Sequence, residues 1–188
     1  MEFKFKYFTN VQRNARFIDE PCDNCGSTNL CLNGIYFDHY DEEVEAVCLE
    51  CLTKGNIVVE IPSEVSEKIY NEISINYPDG SEDELKKRVN EIIEELSKTP
   101  PVPWVQSNDW QVCCGNFMTY LGELGRDDLD SMATDGDGKA LLLNLIDEET
   151  KNRIDDLECL WNELGDYAVA YHFKCMKCGK QIVVIQSY

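Results

Sequence analysis

Three Cys-x-x-Cys pairs constrain this chain more than any other feature: Cys22-Asp23-Asn24-Cys25, Cys48-Leu49-Glu50-Cys51 and Cys175-Met176-Lys177-Cys178. Glycine follows the first and third pairs, at Gly26 and Gly179. In such a knuckle the backbone turns tightly beneath two sulfurs. Its N–H groups relieve thiolate charge, and glycine permits the turn. The first two pairs are separated by 22 residues. That spacing fits a zinc ribbon, in which two knuckles close a tetrahedral four-thiolate site. Zinc is the default ion for such a set, and iron fits the same spacing. The bland alternative is four reduced, packed thiols, since free cysteine buries well. The regular spacing favours metal. A thioredoxin-type reading needs the first cysteine at a helix N-terminus after a strand. Gly26 and the β-rich flanks of Cys175 argue against it.

The third pair supplies only half a site. Cys113 and Cys114 are the nearest candidates, but they are adjacent. On an extended strand they would face opposite ways. Both can reach one ion only if the chain turns there, which Gly115 allows. Cys159 lies among Leu157, Leu160 and Trp161 and reads as a core cysteine. His172 is a further candidate, three residues before Cys175. The expected metal residues are therefore Cys22, Cys25, Cys48 and Cys51 for one zinc, and Cys175, Cys178, Cys114 and Cys113 for a second. Cys114 is the favoured third ligand of that second site.

Charge limits the partners. Seventeen basic residues face 36 acidic ones, a net charge of −19. Nucleic-acid backbones and anionic lipid should be repelled, so the expected partner is a protein. Lys174, Lys177 and Lys180 surround the last knuckle. They read first as an offset to thiolate charge, and second as a contact for a small anion or nucleic acid. No run approaches the roughly 18 apolar residues of a membrane span. MEFKFKYF lacks the apolar region of a signal peptide, so the expected location is the cytoplasm.

Catalytic signatures are scarce. There are two histidines, His39 and His172, and no HExxH, GxSxG or Walker pattern. Asp38-His39-Tyr40-Asp41 reads as a solvated strand end. Asp135-Gly136-Asp137-Gly138 fails as a calcium loop, because Ala133 and Asn144 would occupy the first and twelfth positions.

The 43% hydrophobic content supports a packed core. Alternation at Phe3–Tyr7 suggests a strand, as do Gly34–Phe37, Ile57–Ile61 and Phe117–Leu121. Val65, Ile69 and Ile73 mark a helix from Ser63 to about Ile75. Tyr77-Pro78-Asp79-Gly80 is a turn, and Ser81-x-x-Glu84 is a capping box opening a second helix through Leu96. Gly125 to Gly138 reads as a loop. Helices are expected at Leu141–Ile146 and Ile154–Leu164. A closing hairpin is expected from Tyr167–Phe173 and Ile182–Ile185. The prolines at 100, 101 and 103 form the best boundary. The expected fold is α+β: a zinc-ribbon-like region 1–62, a helical segment 63–98 and an α+β region 104–188, possible as one integrated domain.

Several elements taken together resemble the CbrC-like family of uncharacterised bacterial proteins, named for an association with colicin E2 tolerance. They are Phe5-Lys6-Tyr7-Phe8, the Cys22/Cys25 knuckle, and Tyr36-Phe37 ahead of Cys48 and Cys51. Further along come Thr99-Pro100, Trp104 with Gln106, Trp110 ahead of Cys114, and Tyr120-Leu121-Gly122. The last is Tyr171-x-Phe173-x-Cys175-x-x-Cys178-Gly179-Lys180. Val105 interrupts an expected Trp-Gln pair. Met118 stands where the family pattern implies a cysteine, leaving Cys113 to substitute. The resemblance implies a cytoplasmic bacterial protein and brings no reaction with it. The sequence thus supports a zinc-stabilised interaction or stress-tolerance factor. The alternative is an enzyme or redox protein with an incompletely ligated second site beside Trp104, Trp110 and Phe117.

Overall fold

The computed structural model describes residues 3–38 and 43–188. His39, Tyr40 and Asp41 of the suggested strand end lie outside them. Helices and short antiparallel strands alternate along the chain, as an α+β reading requires. No helix among the described residues is long and apolar enough to cross a membrane.

The first third is built around small strands. Phe3–Tyr7 forms no strand. Instead, Phe8 bridges to Tyr120, with the Tyr120 N–H donating to the Tyr7 carbonyl at 2.8 Å. Alternation alone could not supply a ladder partner. The short helix α1 (Val11–Asn14) follows, then β1 (Phe17–Ile18), β2 (Cys31–Asn33), β3 (Phe37–Asp38) and β4 (Ala46–Cys48). The sheet order is β1-β2-β4, all antiparallel. Gly34–Tyr36 is a 3-10 turn rather than strand, because the Asn33 side chain accepts the Ile35 N–H and curls the chain. Helix α2 (Leu49–Lys54) leads to β5 (Val58–Val59), which pairs with β3.

Two helices then pack as an antiparallel pair. In α3 (Ser63–Asn76), Val65, Ile69 and Ile73 face the core, as their spacing predicts. In α4 (Glu82–Ser97), Ser81 accepts the Glu84 N–H and the Glu84 carboxylate accepts the Ser81 N–H, so the capping box forms. The proline stretch beyond it is packed, with Thr99 and Val102 buried.

The rest centres on one sheet. A tight hairpin, β6 (Val112–Cys113) and β7 (Asn116–Phe117), precedes β8 (Thr119–Leu124). Gly125–Gly138 is not a loop: it contains α5 (Arg126–Met132), whose Asp128 carboxylate accepts the Gly125 N–H at the helix start. Helix α6 (Gly138–Leu145) starts at Asp137, whose side chain caps the Ala140 N–H. The acidic DGDG stretch thus serves as helix capping. The helix expected over Ile154–Leu164 is shortened to α8 (Leu157–Glu163), and a further helix, α7 (Glu148–Arg153), precedes it. Asp156 caps the N–H groups of Glu158 and Cys159, which sets the start of α8 after Ile154.

Strands β9 (Ala168–Lys174) and β10 (Gln181–Ser187) close the fold in the order β10-β9-β8. The sheet is buried on both faces. Tyr171 and Phe173 point into the larger core, which draws residues from Tyr7 through Leu96 to Val184. Ala168, Ala170 and Val183 pack against Leu129 and Leu142 of the small helices. Trp104 stacks on Phe173 with ring centres 5.9 Å apart, and Trp110 meets the same ring edge-on.

Candidate metal centres

The structure gathers eight cysteines into two groups: Cys22, Cys25, Cys48 and Cys51, and Cys113, Cys114, Cys175 and Cys178. Within each group all ligand atoms lie within 4.8 Å of one another.

Two of the four half-sites are built alike. The Cys22 N–H donates to the Ser27 carbonyl at 2.8 Å, and the Gly26 N–H to the Cys22 carbonyl at 2.7 Å. At the other knuckle, the Cys175 N–H donates to the Lys180 carbonyl at 2.8 Å, and the Gly179 N–H to the Cys175 carbonyl at 2.9 Å. Gly26 and Gly179 have φ of +69° and +79°, where a side chain is disfavoured. The local sequence therefore encodes the same sulfur-presenting turn twice.

Cys48 and Cys51 are held differently. Cys48 ends β4 and caps α2, with Cys51 in the first helical turn. This is the local setting of a redox pair, but burial raises the Cys48 pKa instead of lowering it. Its sulfur lies 3.6 Å from that of Cys25. The Asn24 amide donates to the Cys51 sulfur at 3.1 Å. The Asp23 carboxylate accepts the N–H groups of Glu45 and Ala46, fastening the first knuckle to β4.

Cys113 and Cys114 reach a common point because the chain reverses there. Cys113 pairs with Asn116 in the β6–β7 ladder, leaving Cys114-Gly115 as a two-residue turn. Their φ values of +57° and +77° match a type I′ hairpin. A non-glycine residue in this region costs about 1–2 kcal/mol, so Cys114 is held by its surroundings. The Glu72 carboxylate on α3 accepts the Gly115 N–H at 3.0 Å. The Cys113 sulfur stands 3.7 Å from that of Cys114 and 3.6 Å from that of Cys178.

These spacings suit a metal ion. With zinc–sulfur bonds of about 2.3 Å, a tetrahedron has sulfur–sulfur edges of about 3.8 Å. A disulfide would need about 2.05 Å. The ionisation pattern agrees. Burial opposes the Cys22 thiolate, but backbone hydrogen bonds from Cys48, Cys25 and Asn24 outweigh it and bring the pKa to about 7. Cys175 likewise falls to about 7 against burial, through Cys178 and Lys177. Cys113 moves up, through burial first and then its neighbouring thiols. Four crowded thiols cannot all ionise without a cation to hold their charge.

The other candidates stand apart. Cys31 is buried and donates to the Ser27 carbonyl at 3.1 Å. Cys159 is exposed and donates to Glu163, not in the core as its neighbours suggested. A turn of only seven helical residues leaves that face open to solvent. His172 is buried and bonded to Gln181 at 2.8 Å, outside both groups. Met118 is fully buried in the core. Trp110 and Phe117 are buried in the core, and Phe117 also lines a concavity beside Cys113, Cys114 and Cys175.

Fold and sites together define a mixed helix-and-sheet protein with two four-cysteine clusters, each able to hold a metal ion. The chain belongs to the uncharacterised protein family UPF0167, whose family model matches residues 3–187. The CbrC-like resemblance agrees with that membership. No solved structure matches the chain.

Proposed function

We propose that the protein is a cytoplasmic zinc protein whose two closed four-thiolate sites hold together a surface for a protein partner, in a stress-tolerance role of the colicin-tolerance type. One observation carries the metal reading: eight cysteines drawn from distant segments converge in two sets of four, with nearest sulfurs at 3.6–3.7 Å. Closed thiolate sites are normally structural. The first site lies at a ribbon of two- and three-residue strands, and the second joins a hairpin of two-residue strands to the turn between β9 and β10. Such elements are marginal alone, and a metal staple supplies what their cores lack. The acidic surface favours a protein partner over nucleic acid. The supporting support for the tolerance role is the family resemblance alone.

Metal analysis of the purified chain tests the reading. Two zinc ions per chain with sulfur-only coordination at the absorption edge are expected. Iron would announce itself by strong visible absorption, and a metal-free chain with an unchanged melt would sink the proposal.

A further inference from the structure

The two clusters differ in how far their sulfurs are shielded. In the first, Cys22, Cys48 and Cys51 are buried and Cys25 alone is exposed. In the second, Cys178 is exposed, Cys113 and Cys114 are half-buried, and only Cys175 is buried. A concavity of about 300 Å³ opens against Cys113, Cys114 and Cys175. The clusters also differ in how firmly their nearest sulfurs are held. Cys25 faces Cys48 at 3.6 Å. Cys48 is fixed opposite Cys31 in the β2–β4 ladder and starts α2, and the Cys25 knuckle is fastened to β4 through Asp23. Those two sulfurs cannot close on each other without disturbing a ladder. Cys178 faces Cys113 at the same 3.6 Å. It sits in a turn whose residues 176–180 are all exposed. Cys113 belongs to a hairpin of only two ladder pairs. Both sides of this contact can yield.

We infer that the second cluster is a redox switch: hydrogen peroxide joins Cys178 to Cys113 and frees the ion, while the first cluster keeps its own. This inference rests on the zinc reading of both clusters. A cysteine that ligates zinc stays a thiolate at neutral pH. Thiolates that are exposed and stand beside a second thiol are the ones a peroxide oxidises. The Cys178 thiolate attacks one peroxide oxygen: an S–O bond forms, the O–O bond breaks, and hydroxide leaves to become water. The Cys113 thiolate then attacks the Cys178 sulfur: the S–S bond forms, the S–O bond breaks, and a second hydroxide leaves to become water. Each sulfur gives up one electron, and the peroxide is reduced to two waters. The sulfurs close from 3.6 Å to the roughly 2.05 Å of a disulfide. Only Cys114 and Cys175 then remain for the ion, half of a tetrahedral set. Charge selects the oxidant. A net charge of −19 repels anionic oxidants such as hypochlorite, whereas an uncharged peroxide meets no such barrier. The new bond keeps the β6–β7 hairpin tied to the β9–β10 turn, so the switch frees an ion and two thiols without opening the fold. An exposed disulfide of this kind is open to reduction by cellular thiols, which resets it.

The test treats the zinc-loaded full chain with hydrogen peroxide, follows zinc release with a chromogenic chelator, and maps disulfides by mass spectrometry of alkylated peptides. One of the two zinc ions should leave, with a Cys113–Cys178 link formed and Cys22, Cys25, Cys48 and Cys51 still reduced. Dithiothreitol with added zinc should restore the lost ion. A Cys178→His variant keeps a zinc ligand without the thiol, and should retain both ions at the same dose. If that variant does not hold two ions, mapping in the unsubstituted chain decides alone. Loss of both ions together, earlier loss from the first cluster, or a Cys175–Cys178 link in place of Cys113–Cys178 would overturn the inference. So would full retention of zinc at a dose that oxidises the exposed thiol of Cys159. A chain that holds no zinc at the second cluster overturns the metal reading itself, and metal content before oxidation tells the two failures apart.

Discussion

The sulfurs of Cys113 and Cys178 meet at 3.6 Å although 65 residues of chain separate them. One contact therefore ties the β6–β7 hairpin to the turn between β9 and β10, across the sheet that carries the main core.

Replacing Cys178 with serine should remove the second ion and leave the first. Metal content should fall from two zinc ions to one. Opening a loop of this length should cost about 4 kcal/mol of stability, read by denaturant unfolding at fixed zinc.

Chelation should unfold the chain in one transition rather than two. The larger core takes residues from β2 and β4, from α3 and α4, and from β8 to β10. Intrinsic fluorescence, which follows the tryptophans, and far-ultraviolet dichroism should therefore lose signal together. Separate midpoints would instead assign the regions 1–62, 63–98 and 104–188 to independent units.

Stability should fall as pH drops below about 6.5 in a way that depends on His172. Burial, with a smaller push from Lys174, lowers its pKa against the opposing Gln181 hydrogen bond. The unfolded chain then binds the proton more readily, so this contribution is complete above pH 6.5 and is lost on acidification. Protonation of the thiolates acts in the same direction. A His172→Gln variant, with metal content followed in parallel, should show a shallower acid limb at constant zinc.

Ser81→Ala should cost about 1 kcal/mol by uncapping α4. Zinc stoichiometry should be unchanged, because neither cluster touches that helix start. A loss of metal in this variant would mean that the helical pair and the clusters are more tightly coupled than the packing indicates.

Local signals were on the whole more legible than non-local ones. The two glycine-following knuckles are written within six residues each, and they form as their spacing predicts. The capping box and the Val65-Ile69-Ile73 stripe are equally local. Phe3–Tyr7 has the alternation of a strand, yet only Phe8 finds a partner, because pairing is decided elsewhere in the chain. Helix α5 was hidden by acidic and glycine residues, although Asp128 could have marked its start. Cys159 carried apolar neighbours but lies on the open side of a two-turn helix. The convergence of Cys113 with Cys114 depended on backbone sign at two residues, and only Gly115 announced it.

The separation of the two clusters along the chain has a consequence for biosynthesis. The four thiols of the first cluster are all made by residue 51, so the ribbon can take its ion while the rest is still being translated. Cys113 must wait 65 residues for Cys178. At ribosomal rates of about 5–20 residues per second that interval is roughly 3–13 s. During it the adjacent thiols of Cys113 and Cys114 are exposed to any oxidant or competing metal in the nascent chain's surroundings. The second cluster is thus the one whose filling depends on how quickly the ribosome reaches Cys178.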